Sequence, residues 1–333
     1  MSEVDVVVVT YQNESTLPAT LAGLAAQTLP ARRVVVVRNA AAATSVAAGF
    51  RDRLDLDIVD FADNRGFSAA VNEGIRRTAA PWVLSLNPDC RLEADFLARL
   101  LPACTNRRRV AAAAGLLLRA SGPDLAATDT VDSAGMVVDR SGRHYDRGAG
   151  FPLLPEWLVP AWVFGVTGAA ALYRREALDD VAYRGGEVFD ETFFAYREDA
   201  DLAWRLQRRG WRCLYWPDAR AAHERGLKPE AGRRLSPEIN RHSVRNRFLL
   251  RWSNADWRWR LACLPAWAVR DVLVAGACLT TERSSLPGLK EALALRAQQR
   301  RRGQANAARA TVSGWDVTSW FMPWGRVRPL GEP

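Results

Sequence analysis

VDVVVVTYQNESTLPATLAGLAAQT, residues 4–28, is the stretch that decides the fold class. The valine-rich run over residues 4–9 reads as a buried strand, followed by a polar turn over residues 10–15. Thr16 is then placed to cap a helix in which Leu17, Leu21, Leu24 and Thr28 recur at helical spacing. The same alternation continues outward, with strands expected at residues 33–37, 57–61 and 82–86 and Ala-rich helical text such as residues 68–78 between them. Short β-branched runs alternating with longer helical patterns predict an α/β sheet, mostly parallel and flanked by helices. In such sheets ligands bind beyond the carboxyl ends of the strands, so the polar loops at residues 10–14, 63–67 and 87–89 are expected to converge on one crevice. Residues 120–160 are richer in Gly, Pro and Asp and predict hairpins and loops roofing that crevice.

From about Lys228 the text becomes Arg- and Trp-rich and helical, with more than half of the 13 Trp residues beyond Arg251. The expected division is a catalytic α/β domain over residues 1–227 and a helical C-terminal region over residues 228–333. Leu286, Leu289 and Leu293 make a modest apolar stripe beside Arg296 and Arg300, so that region suits an anionic bilayer. Packing of its Trp residues against the first domain is the alternative. The apolar stretch at residues 261–279 is interrupted by Pro265, Arg270 and Asp271, and no transmembrane helix is expected from it.

The 333 residues are enough for a large α/β domain with a smaller appendage, and 48% hydrophobic content argues against wholesale disorder. A net charge of +9 favours an acidic partner: nucleic acid, an anionic membrane or a phosphorylated substrate. No zinc module, recognition-helix motif or aromatic RNA-binding motif accompanies the charge, so nucleic acid is not expected. The Cys residues are 5 in number, scattered and without a C-x-x-C pair, which fits a reducing compartment. With no basic segment before the first strand, a signal peptide is not expected and a cytoplasmic location is.

Chemistry concentrates in a few phrases. LNPDC puts Asn87 and Asp89 directly after a buried strand, where a carboxylate reaches a divalent cation held by a diphosphate. The same text also reads as a strand-to-helix turn. In FDETFFAYREDADLAWR, residues 189–205, Glu198, Asp199 and Asp201 crowd a helix start. Helix capping explains at least one of them. Like charges so close raise at least one pKa, and a carboxylate tuned in this way can take a proton from a hydroxyl nucleophile. His223 follows a strand and can complete a mixed oxygen and nitrogen site for Mg²⁺ or Mn²⁺, although a lone His is more often structural. In DNRGFSAAVNEG, residues 63–74, Arg65 and the backbone amides near Gly66 can meet a phosphate, or Gly66 serves only the turn.

VVVVTYQNESTLPATLAGLAAQT, DNRGFSAAVNEGI, LNPDC, DSAGMVVDRSGRHYDRG, VTGAAALYRREAL, FDETFFAYREDADLAWRLQRRGW and HERG occur in that order over about two thirds of the chain. The ordered set resembles the family 2 glycosyltransferases with a GT-A fold, in particular the bacterial rhamnosyltransferase-like branch. The resemblance implies a GT-A nucleotide-binding sheet with a C-terminal helical extension. It assigns Asp89 and His223 to a metal, Mg²⁺ or Mn²⁺, and Asp199 with Glu198 to base catalysis. It places Thr10, Tyr11, Asn13, Glu14, Asn39, Arg65, Asn72 and Asn87 around a nucleotide-diphosphate sugar, and Gly168 towards the acceptor. Two departures stand out: Arg38-Asn39 where the family places an Asp that contacts the base, and Asn87 in place of a first carboxylate.

The expected activity is an inverting, metal-dependent transfer of a sugar, foremost L-rhamnose from dTDP-rhamnose, to a glycan or lipid-linked acceptor at the inner membrane face. A UDP-sugar donor and a catalytically silent, membrane-associated scaffold are the alternatives. A nucleotidyltransferase lacks support, because the chain has no N-terminal Gly-rich basic phosphate loop.

Overall fold

The computed structural model describes residues 3–11, 15–41, 46–225, 236–321 and 326–331. Strand β1 (Val4–Thr10) leads through α1 (Leu17–Ala25) to β2 (Arg33–Arg38) and β3 (Leu56–Asp60), and α2 (Gly66–Arg76) leads to β4 (Trp82–Leu86). β1 pairs in parallel with both β2 and β4, and β2 with β3. The valine run is explained by burial on both faces: Val4, Val6 and Val8 pack in the cluster that contains Leu17, Leu21 and Leu24 of α1. Val7 and Val9 face the other way, into the cluster holding Val71 and Ile75 of α2.

Beyond β4 the chain forms β5 (Cys90–Leu92), α3 (Phe96–Thr105), β6 (Val110–Ser121) and β7 (Ala126–Ser133), then a hairpin of β8 (Met136–Val138) and β9 (His144–Asp146). β10 (Ala161–Val163), β11 (Ala170–Arg174), α4 (Arg175–Val181), α5 (Glu198–Arg208) and β12 (Arg212–His223) complete the α/β part. Four further helices follow: α6 (Pro237–Asn254), α7 (Trp257–Leu279), α8 (Leu286–Ala308) and α9 (Gly314–Thr318), before β13 (Arg328–Pro329). The main sheet has the order β13-β10-β12-β6-β11-β4-β1-β2-β3. It is mixed, since β11 lies antiparallel to both β4 and β6. β5 pairs antiparallel with the end of β12, which sets His223 opposite Cys90.

The structure departs from the sequence expectations at several points. Thr16 precedes α1 but its side chain makes no capping hydrogen bond; Pro18, whose fixed φ suits a first turn, stands at the start instead. α2 begins at Gly66, two residues before the expected Ser68. Gly66 has φ +82, and an added Cβ would sit 2.6 Å from Phe194, so only glycine fits this turn. In the C-terminal region the alternative of Trp packing against the α/β part is seen: Trp259 meets Trp204 edge-on at 5.7 Å, and Phe321 lies 6.0 Å from Phe164. β13 also joins the main sheet through β10. Finally, α7 is one continuous helix of 23 residues through Pro265, long and apolar enough to cross a membrane by length and composition. Pro265 removes one backbone donor, and the helix continues on both sides of it. All five Cys residues are free and buried.

Candidate active site

A cavity of ≈ 400 Å³ opens at the carboxyl ends of β1, β2 and β4. Tyr11, Asn39, Asn64, Asn87 and Asp89 line it, so the described parts of the three polar loops converge as expected. Helix α6 supplies Ile239 and His242 to the same wall. Thr10 is buried beneath, and its carbonyl accepts from the Asn39 amide at 2.8 Å. The Asn39 side chain donates to Asn64 Oδ1 (2.7 Å) and accepts from the Arg65 backbone N–H (2.8 Å). Asn39 thus holds the 63–66 turn. Asn13 and Glu14 lie outside the described residues.

Arg65 and Asn72 are placed differently from the rest. The Arg65 guanidinium lies over the Phe61 ring at 4.4 Å, beside Asp63, and is not part of the cavity lining. Asn72 is buried in α2 and braces the segment before α5: it donates to the Phe189 carbonyl (2.8 Å) and Glu191 (3.0 Å) and accepts from Phe189 N–H (2.8 Å). Its three bonds anchor a loop.

Asp89 and His223 do meet. His223 Nε2 stands 3.4 Å from Asp89 Oδ1, and the Asn87 amide is 3.4 Å from the same ring nitrogen. The other ring nitrogen, Nδ1, is bound at 2.8 Å to the fully buried Asp132. Asp132 is paired in turn with Arg225 at 2.7 Å. A carboxylate behind a metal-binding imidazole fixes its tautomer and leaves the outer nitrogen free. Asp89 Oδ1 is buried without a hydrogen-bond partner among the described residues. The Asp89 carboxylate and the His223 imidazole are the groups that would hold a divalent cation here. Two protein ligands are the set that Mg²⁺ or Mn²⁺ takes when diphosphate and water fill the rest. The residues therefore fit the ion. Burial opposes charge on His223, but the hydrogen bond to Asp132 and the negative charges of Asp132 and Asp89 outweigh it and bring the pKa up to about 9. A cation held there would take the place of that proton.

A second cavity of ≈ 340 Å³ adjoins the first, the two sharing Tyr196 and Ile239 in their walls. Glu198 and Asp199 line it at the first turn of α5. Asp199 Oδ1 accepts from the Ala200 N–H at 2.7 Å, and Oδ2 lies 3.4 Å from the Gly168 N–H, so Gly168 holds the carboxylate. Burial, then the charge of Asp146, pushes the Asp199 pKa up to about 6. Burial, then Asp199 itself, pushes Glu198 to about 8. The pair thus divides into a neutral Glu198 and an Asp199 ionised at neutral pH, which is how adjacent carboxyls take distinct acid and base roles. The third acid, Asp201, is structural: it is buried in an ion pair with Arg205 (2.8 Å) and accepts from Asn254 (2.6 Å).

A family model described as glycosyltransferase like family 2 matches residues 2–255. The chain belongs to that family. A relative from Mycobacterium tuberculosis, N-acetylglucosaminyl-diphospho-decaprenol L-rhamnosyltransferase, is 28% identical over 301 residues, covering 84% of this chain and 93% of the relative. Among solved structures, GalNAc-T7 with UDP, GalNAc and Mn²⁺ is similar with a TM-score of 0.62 and 14% identity. That match covers 96% of this chain, which spans 56% of the length of that protein's chain. The mannosyltransferase PcManGT from Pyrobaculum calidifontis, in complex with GDP-Man and Mn²⁺, has a TM-score of 0.51 and 20% identity, with 94% and 87% of the two chains covered. The fold is that of the GT-A glycosyltransferases, and the protein is a family 2 glycosyltransferase.

Sequence reading missed two supports of this glycosyltransferase site. One is Asp132, with Arg225 and Asp146 behind it, which orients His223. The DSAG phrase was the available signal, an Asp ending a strand, but its partner is 91 residues away. The other is Asn246 of α6, fully buried, whose Nδ2 lies 2.7–2.9 Å from the carbonyls of Phe193, Ala195 and Tyr196. Arg245 adds a bond to the Phe193 carbonyl at 2.7 Å. In this loop Phe194, Tyr196 and Arg197 have φ of 63, 70 and 73, a region that costs a non-glycine residue ~1–3 kcal/mol. The C-terminal helix holds that strained turn, which aims Glu198 and Asp199.

Proposed function

We propose that the protein transfers L-rhamnose from dTDP-rhamnose to a hydroxyl of a lipid-linked or polysaccharide acceptor, with inversion and with Mg²⁺ or Mn²⁺. One observation carries this reading. Asp89 and His223 stand at one cavity, Asp199 in the next, and the two cavities share a wall. The first suits a nucleotide diphosphate and the second an acceptor. The mycobacterial relative, whose name gives rhamnose and a lipid diphosphate acceptor, supports the choice of sugar and acceptor.

In the proposed reaction Asp199 removes the proton of the acceptor hydroxyl, and the oxygen forms a bond to the anomeric carbon from the face opposite the diphosphate. The bond from that carbon to the phosphate oxygen breaks, and its electron pair leaves with the nucleotide. A single in-line step inverts the anomeric centre. A cation held by Asp89 and His223 supplies neutralisation of charge on the leaving diphosphate. Gly168 and Ala200 N–H groups keep the base aimed, and Glu198 stays protonated beside it. The test is transfer from a panel of nucleotide sugars to a GlcNAc-bearing acceptor, with the product's anomeric configuration read by NMR. Inverted rhamnosyl product from dTDP-rhamnose is expected. Product only from a UDP-sugar reassigns the donor, and no product from any donor defeats the reading.

Peripheral attachment to an anionic membrane is part of the proposal, and α7 is its element. The outward positions of α7 are apolar almost throughout: Trp257, Leu261, Leu264, Val269, Val272, Leu273 and Leu279 are all exposed, Val272 at 72%. Its other flank is tied down, with Asp271 bound to Arg251 (2.7 Å) and Arg270 to Ser141 (3.4 Å). A helix bound along one side and apolar on the other lies in the membrane surface rather than across it. The full chain is expected to float with phosphatidylglycerol vesicles, and Val272→Asp with Leu273→Asp to release it. Indifference of the full chain to such vesicles would sink the membrane assignment.

A further inference from the structure

Arginines gather at and around the cavity that Asp146, Glu198 and Asp199 line. Arg197 lines it, and its guanidinium makes no hydrogen bond or ion pair among the described residues. Arg143 lies over the ring of Tyr145, another lining residue, at 4.6 Å. Arg270 reaches from α7 to Ser141, two residues before Arg143. Arg247 stands one helical turn beyond the lining residue Ser243 on α6 and approaches Asp271 at 3.5 Å. The acids nearby are already engaged. Asp271 is shared with Arg251, and Asp139 accepts from Ser141 Oγ (2.6 Å), the Ser141 N–H (2.8 Å) and the Tyr145 hydroxyl.

The guanidinium groups also sense one another. Burial, followed by the charges of Arg247, Arg270 and Arg143, lowers the Arg197 pKa to about 9. Burial and then Arg143 lower that of Arg270 as well. Like charges gathered in a partly buried place are costly unless an anion joins them. The planar fork of Arg matches phosphate oxygens in pairs.

We infer that Arg143, Arg197, Arg247 and Arg270 form a binding site for the diphosphate group of a diphosphate-linked acceptor, with the acceptor sugar reaching inward to Asp199. The inference rests on the proposed glycosyltransfer reading and adds what holds the acceptor. This site is separate from the donor diphosphate, which belongs with Asp89 in the other cavity. Its position also explains the arrangement of α7, which turns Arg270 towards the cavity and its apolar residues outward. A lipid whose tail stays in the membrane presents its diphosphate at that boundary.

The test has two arms, both using the full chain and the double variant Arg143→Gln with Arg270→Gln. In the first, binding of farnesyl diphosphate and of inorganic pyrophosphate is measured by calorimetry in EDTA, so that no cation supports the donor cavity. Binding of both to the unaltered chain is expected, with a loss of roughly tenfold or more in the variant. Tighter binding of the farnesyl form marks a lipid source, and equal binding marks a site for the free anion as well as the headgroup. Absence of binding to the unaltered chain, or equal binding to the variant, overturns the site. In the second arm, transfer to GlcNAc-diphospho-farnesyl is compared with transfer to an alkyl GlcNAc glycoside that has no phosphate. The variant should raise KM for the diphosphate acceptor alone, leaving KM for the glycoside and donor unchanged. An equal rise for both acceptors would assign the arginines to packing. Failure of the unaltered chain to use either acceptor counts against the glycosyltransfer reading, while the calorimetric arm still decides the anion site.

Discussion

Replacing Asp199 with Asn is expected to slow sugar transfer by roughly 10²–10⁴-fold, the usual contribution of a positioned general base. Donor affinity should be unchanged, because Asp199 lines the second cavity and not the one around Asp89. The same variant should melt higher than the parent at pH 8. The folded pKa, about 6, exceeds the ~3.9 of an unfolded Asp. Between these values the folded state binds more protons than the unfolded state, so this group makes stability fall as pH rises from about 4 to about 6. The loss persists above that window, and neutral Asn escapes it. The gain in melting temperature should therefore shrink towards pH 4. The parent enzyme should lose kcat/KM as the pH drops through about 6, where the base becomes protonated. A variant that keeps its rate within tenfold, or one that no longer binds donor, would remove Asp199 from the role of base.

Asp89→Asn is expected to cost roughly 10²-fold or more in transfer, since the several kcal/mol that a cation gives to a departing diphosphate depend on its anchor. Nucleotide binding provides the cleaner readout. A ligand that binds only the folded chain at ~100 times its Kd stabilises it by about 2.7 kcal/mol. The parent should thus melt higher with dTDP and Mn²⁺ than with dTDP and EDTA, and the variant should show no difference between them. The substitution spares the frame: the Asp89 backbone carbonyl still accepts from the Glu224 N–H at 2.9 Å. An unchanged metal-dependent shift in the variant would place the cation elsewhere.

The two carboxylates also mark how far local pattern reaches. The valines of β1 and the helix after it were legible because burial on both faces leaves a continuous apolar run, and an α-helix leaves a period near 3.6 residues. Asn87 and Asp89 were legible because a polar phrase directly after such a strand must lie at the sheet's ligand-binding edge. Arg65 and Asn72 come from equally polar text, yet one stacks on Phe61 and the other braces the Phe189 backbone. The partners of the Arg65 guanidinium lie within four residues, whereas the backbone that Asn72 braces is 117 residues away. Pro265, Arg270 and Asp271 were misleading in the opposite sense: they were read as interrupting the apolar stretch, yet α7 runs through all three as one helix.

Residue order and periodicity marked the sheet and its ligand edge, while Asp89, Asp199 and His223 were singled out by the resemblance to a known family. Tertiary structure alone decided their chemistry. The pairing of β5 with β12 brings His223 to Asp89, and β7 puts Asp132 behind it. Helix α6 walls the cavity at Asp89, clamps the loop before α5 and, with α7, brings arginines near Asp199. The reason is physical: secondary structure follows from interactions a few residues apart. Desolvation, charge proximity and the aim of a carboxylate are set by groups far apart in the chain, and exist only once those groups are packed together.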